Sequence, residues 1–79
     1  MTNRVVCVLA GRDKQSFMVV VGENEGRVLL CDGKSHPLNK PKLKNKKHVA
    51  PTNSLLKQEQ LKTDKSIRTA LNAFKAKAE

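Results

Sequence analysis

Three short apolar runs open the chain at residues 5–9, 17–21 and 27–31, each rich in valine or leucine and separated by polar stretches that contain glycine. Runs of this length with β-branched residues and turn-forming boundaries follow a strand pattern, not a helical one. The connections at residues 10–14 and 22–26 and at Asp32-Gly33 are short, and Asp-Gly is a strong hairpin signal. Residues 34–38 are expected to form a fourth strand. Residues 46–50 are expected to form a fifth, which Pro51 stops. Several short strands joined this tightly favour a closed or nearly closed sheet. The expected fold class is therefore mainly β, a small barrel.

The period changes in the last third. Ile67, Ala70, Leu71, Phe74 and Ala78 recur as one helical stripe, while Lys65, Arg68, Asn72 and Lys75 project from another side. Thr63 or Asp64 can cap the start of this helix. Residues 51–62 are polar apart from Leu55, Leu56 and Leu61, and read as a linker with one helical turn. About 15 helical residues are marginal alone in water, so the helix docks on the barrel or meets a partner. The expected organisation is a barrel over residues 1–53 that includes a basic tract at 34–48, followed by the linker and amphipathic helix over 54–79.

Charge changes the picture from fold to partner. The 79-residue chain has a formal net charge of +9, and it is unevenly spread. Residues 1–33 net zero, residues 34–50 contribute +6 with no acid, and residues 51–79 contribute +3. A localised field of this kind steers polyanions. Lys40, Lys42, Lys44 and Lys46 recur with period two, and Pro37 and Pro41 favour extended backbone, so an extended segment would place four ammonium groups on one side. Their spacing of ~6.5 Å roughly suits a nucleic-acid backbone. The competing reading is a solvated lysine run with no common face.

The first turn carries its own chemistry. Gly11 suits a positive φ or a close approach of phosphate to the backbone. Arg12 and Lys14 flank Asp13 and present two donors, one of them a planar guanidinium able to grip phosphate or a guanine edge at two points. Asp13 is expected to orient Arg12 or its own turn. His36 and His48 either hydrogen-bond phosphate or stack on a base, or are ordinary surface histidines.

Other chemistries find little support. Cys7 and Cys31 sit inside apolar runs and read as reduced core thiols. With His36 and His48 they match a zinc site by count but not by spacing. No P-loop, nucleophile elbow or paired carboxylate motif points to an enzyme, and no cofactor or metal is expected. The two aromatics, Phe17 and Phe74, read as core and helix packing, which argues against stacking on unpaired bases and for structured RNA. No apolar stretch is long enough for a membrane span and no export signal is visible, so a cytoplasmic protein is expected.

These residues also carry a resemblance. The strand, the turn Ala10 Gly11 Arg12 Asp13 Lys14 and the second apolar strand resemble a KOW motif. The succession Leu30 Cys31 Asp32 Gly33 Lys34, Leu38 Asn39 Lys40 Pro41 Lys42 and Lys47 His48 resembles the small bacterial KOW-domain RNA-binding proteins. Those are similar to the archaeal and eukaryotic large-subunit ribosomal proteins of the L-fourteen-e type. The likeness covers residues 4–53, with one departure: Gln15 stands where the family usually carries glycine. It implies an SH3-like barrel that binds ribosomal or other structured RNA. With the C-terminal α-helix read from its period, the expectation is a ribosome-associated protein bound to large-subunit ribosomal RNA, with ribosomal proteins as neighbours, and a monomer when free. Gly11, Arg12, Lys14, Gly33, Lys34, His36, Lys40, Lys42, Lys44, Lys46, Lys47 and His48 would form the RNA surface. The alternatives are a duplex DNA-binding protein, which charge alone does not separate, and an SH3-like protein adaptor, which would need exposed groove aromatics.

Overall fold

The three apolar runs become strands, and their alternation decides what each residue buries. In the computed structural model, which describes residues 1–78, the order is β1 (Arg4–Val8), β2 (Phe17–Asn24), β3 (Arg27–Cys31), β4 (Lys42–Asn45), a 3₁₀ turn (Lys46–His48), β5 (Val49–Leu55), a second 3₁₀ turn (Gln58–Leu61) and α1 (Asp64–Ala78). All five strands join antiparallel in one sheet, ordered β4-β3-β2-β1-β5.

Neighbouring residues Val5 and Val6, and again Val19 and Val20, enter different buried clusters, as a side-chain period of two requires. One cluster gathers Val6, Val8, Met18, Val20, Val28, Leu30 and Val49, all from strands. No helix contributes to it, so these side chains are enclosed because the sheet curls around them. Register shifts between Val20 and Gly22 and between Arg4 and Val6 supply local bends of the kind that let a sheet turn. The other cluster joins Val5, Val19 and Cys31 on the outer face to Leu56, Leu61, Ile67, Ala70 and Leu71. The result is a small barrel-like sheet with one helix laid against it, the fold class that the strand pattern predicts.

Two strands differ from expectation. Residues 34–38 form a loop, because Asp32 Oδ1 accepts from the backbone N–H groups of Lys34 and His36 at 2.9 Å each. A side chain that takes these donors competes with ladder pairing, and β4 begins only after Pro41. Residues 46–48 form a 3₁₀ turn, started by Asn45 Oδ1 accepting from Lys47 N at 2.9 Å. Pro51 does not stop β5, where it lies opposite Val6. Its missing N–H is tolerated since β5 is an edge strand. The predicted linker over residues 51–62 is accordingly strand as far as Leu55, followed by the one helical turn expected.

Helix α1 docks on the barrel. Thr63 caps it: its Oγ1 accepts from Ser66 N at 3.0 Å while Ser66 Oγ accepts from Thr63 N at 3.2 Å. Ile67, Ala70 and Leu71 are buried, and the Phe74 ring meets Phe17 edge-on at 5.0 Å and 63°. Burial of the Ala78 side chain, the last of the predicted stripe, lies outside the described residues.

Candidate nucleic-acid interface

The β1–β2 connection is held by backbone bonds from Gln15 N to Val8 O (2.7 Å), from Ser16 N to Asp13 O (2.9 Å) and from Leu9 N to His48 O (2.8 Å). Gly11 takes φ +89° and Gln15 φ +70°. Gln15 therefore keeps the left-handed backbone that glycine adopts without strain, although a side chain there costs roughly 1–2 kcal/mol. Arg12 and Lys14 stand exposed on this turn.

Asp13 neither orients Arg12 nor closes its own turn through its carboxylate. Its Oδ2 lies 3.1 Å from His36 Nε2 and ties the first turn to the β3–β4 loop. A sequence separation of 23 residues hid that partnership. His36, half-buried against Asp13, has one ring nitrogen committed to the fold.

The β3–β4 loop is fastened in turn to the helix. Leu38 N donates to Asp64 Oδ1 at 2.8 Å, and the Arg68 guanidinium donates to Gly33 O at 3.0 Å. Gly33 takes φ +74°, and a Cβ there would run into the carbonyl of Asp64. Three aspartates thus each commit one oxygen inward at this pole: Asp13 to His36, Asp32 to two backbone amides, Asp64 to a third. Arg12, Lys14, Lys34 and Lys40 are exposed, and no acid among the described residues pairs with them.

The basic tract does not form a single row. Lys42 lies opposite Leu30 and Lys44 opposite Val28, and both partners belong to the enclosed cluster. Cross-strand partners share a face, so these two half-buried stems line the barrel's inner side. Lys44 carries its ammonium out to Ala10 O at 2.6 Å, where it would crowd any side chain at position 11. Lys46 leaves the alternation because β4 ends at Asn45. Its Nζ pairs with Glu23 Oε1 at 2.8 Å, and its backbone N–H donates to Gly26 O at the β2–β3 hairpin. Glu23 also accepts from the amino group of Met1 at 2.8 Å. The Lys46 bond first, and that amino group second, hold its carboxyl down to about 2. Lys47 and His48 are exposed on the 3₁₀ turn, where the His48 carbonyl reaches Leu9 beside the first turn.

Of the residues singled out from sequence, Gly11, Arg12, Lys14, Gly33, Lys34, His36 and Lys44 come together at the loop pole. Lys46 lies at the hairpin end. Two cations read from sequence only as the helix's polar flank, Arg68 and Lys75, join Asp32, Lys34, Leu71 and Asn72 around a cleft of about 130 Å³ between the loop and α1. Their sequence signal was the helical spacing that sets them beside buried Leu71, on the border of whatever the helix covers.

Cys7 and Cys31 are free thiols, with Cys31 fully enclosed. Burial, and then the nearby carboxylates of Asp64 and Asp32, push the Cys31 thiol up to about 11. No described helix is long and apolar enough to cross a membrane. No protein-family model matches the chain, and no curated protein matches it.

Proposed function

We propose that this chain is a KOW-type, SH3-like RNA-binding protein that grips the phosphate backbone of structured RNA through its loop pole, with large-subunit ribosomal RNA as the expected partner in the cytoplasm. The observation that carries this reading is the engagement of Asp13, Asp32 and Asp64 with inward partners, while Arg12, Lys14, Lys34 and Lys40 face outward with no paired acid among the described residues. Cations left unneutralised on rigid loops release counterions when they meet phosphate, and that release supplies affinity with little reading of sequence. Phe17 and Phe74 are spent on each other. Bases therefore find no exposed Phe, Tyr or Trp platform, which favours a folded RNA recognised by shape over an unpaired strand.

The test compares a structured RNA hairpin, a single strand and a DNA duplex of equal charge across a salt series. Tighter, salt-dependent binding to the hairpin is expected. Equal affinity for the DNA duplex, or no salt dependence, overturns the proposal. Lysate sedimentation at low and high salt then checks the partner: co-migration with the large ribosomal subunit is the expected result, and a protein that stays at the top of the gradient in low salt removes the ribosomal assignment.

A further inference from the structure

The cleft between the β3–β4 loop and α1 has the chemistry of an anion seat. Lys34, Arg68 and Lys75 surround it with one carboxylate, Asp32, so the formal balance is three cations to one anion. Oδ1 of that carboxylate is already occupied by the amides of Lys34 and His36. Leu71, only 3 % exposed, forms an apolar side, and Asn72 adds an amide that can donate or accept. At about 130 Å³ the cleft has room for one small anion.

Part of the geometry is fixed before any ligand arrives. Arg68 spends one N–H on Gly33 O and keeps the rest of its planar fork free. Gly33 is pressed against the backbone of Asp64 so closely that no Cβ fits, which sets the position of Lys34 relative to the helix. Lys75 follows Arg68 by seven residues, two turns further along the same flank. Arg68 and the loop backbone therefore lose little freedom when the cleft is filled, while the exposed Lys34 and Lys75 side chains close on the ligand.

We propose that this cleft seats one phosphate group of the bound RNA, so that α1 is a second contact surface and not merely a cover for the barrel. The proposal rests on the RNA-binding reading above and extends the footprint from the first turn, across the loop, to the helix.

The experiment measures the slope of log affinity against log salt for a structured RNA with wild-type protein, R68Q, K75Q, R68Q/K75Q and K65Q/K77Q. The last pair removes two helix charges that do not line the cleft. R68Q/K75Q should flatten the slope by about 1.4 to 1.8, at 0.7 to 0.9 per phosphate contact, and K65Q/K77Q by less than about 0.3. K75Q removes no hydrogen bond of the fold and should alone flatten it by about 0.7 to 0.9, which keeps the test valid if R68Q loosens the Gly33 tie. RNA with and without a 5′-phosphate tells a terminal phosphate from a backbone one, and selective loss with either source supports the site. Equal losses in the two double variants, or none in R68Q/K75Q, overturn the cleft while leaving the first turn as the contact. If the wild-type protein binds no RNA in a salt-dependent way, the functional reading itself fails, and the cleft with it.

Discussion

The two ends of β2 treat charge in opposite ways. At the hairpin end, Glu23 accepts from both Lys46 and the amino group of Met1, so cation and carboxylate neutralise each other. At the other end, beyond Phe17, the aspartates turn toward backbone amides and His36, and leave the neighbouring cations without acidic partners. Lys44 and Lys46 are two residues apart, yet one reaches the carbonyl of Ala10 in the first turn and the other is spent on Glu23. A basic tract therefore does not by itself mark an interface. The more telling contrast is where the nearby carboxylates each hold an inward partner and leave the cations unpaired.

The sharpest way to break this contrast is Gly33→Ala. Its φ of +74° and the Asp64 carbonyl in the path of a Cβ should cost about 3 kcal/mol or more in denaturant unfolding, because backbone and not a flexible side chain must yield. A loss under about 1 kcal/mol would mean that loop and helix are not rigidly joined. Next in size is the combined change of Arg12, Lys14 and Lys34 to Gln. It should weaken binding of structured RNA roughly 100-fold at 0.1 M salt and flatten the salt slope by about 2.1 to 2.7, whereas Lys46→Gln should leave that slope unchanged. An equal effect from Lys46 would erase the distinction between the two ends.

A smaller gain in stability is expected from Gln15→Gly, up to about 1 kcal/mol in thermal or denaturant melts, since relief of the left-handed strain is partly offset by the greater freedom of unfolded glycine. The smallest effect belongs to the hairpin end and to acid. Glu23 titrates near 2 when folded against an ordinary value of 4.5, so its contribution is complete above pH 4.5 and is lost as pH falls toward 2. Lys46→Met should raise that carboxyl toward its ordinary value, as followed by NMR titration, and flatten the shallow acid dependence of stability. The pair is exposed, so the change in melting temperature should be slight.

Much of the barrel was legible because its determinants are local. The short valine- and leucine-rich runs of β1, β2 and β3 state the strands, though not which face each residue buries, and the Ile67–Phe74 spacing states the helix and its stripe. What stayed hidden depends on side chains acting on distant backbone. Asp32 capturing the amides of Lys34 and His36 turned an expected strand into a loop, and Asn45 started a 3₁₀ turn where alternating lysines suggested continued extension. Pro51 was misleading for a different reason: only the sheet order reveals that its strand lies at an edge. For the site, sequence supplied the first turn and Lys34, but the ties to Asp13 and Arg68 span 23 and 35 residues and leave no periodic trace.

Strand β4 ends the sheet on one side, and Lys42 and Lys44 point inward from it beside Leu30 and Val28. Another chain that zipped onto this margin would press on the Lys42 ammonium and on the Lys44 ammonium that bonds the Ala10 carbonyl, and would strip water from both. The two lysines that keep the period-two alternation thus guard the open rim of the sheet, and a chain with Lys42→Val and Lys44→Val should lose that guard and self-associate at concentrations where the natural sequence stays dispersed.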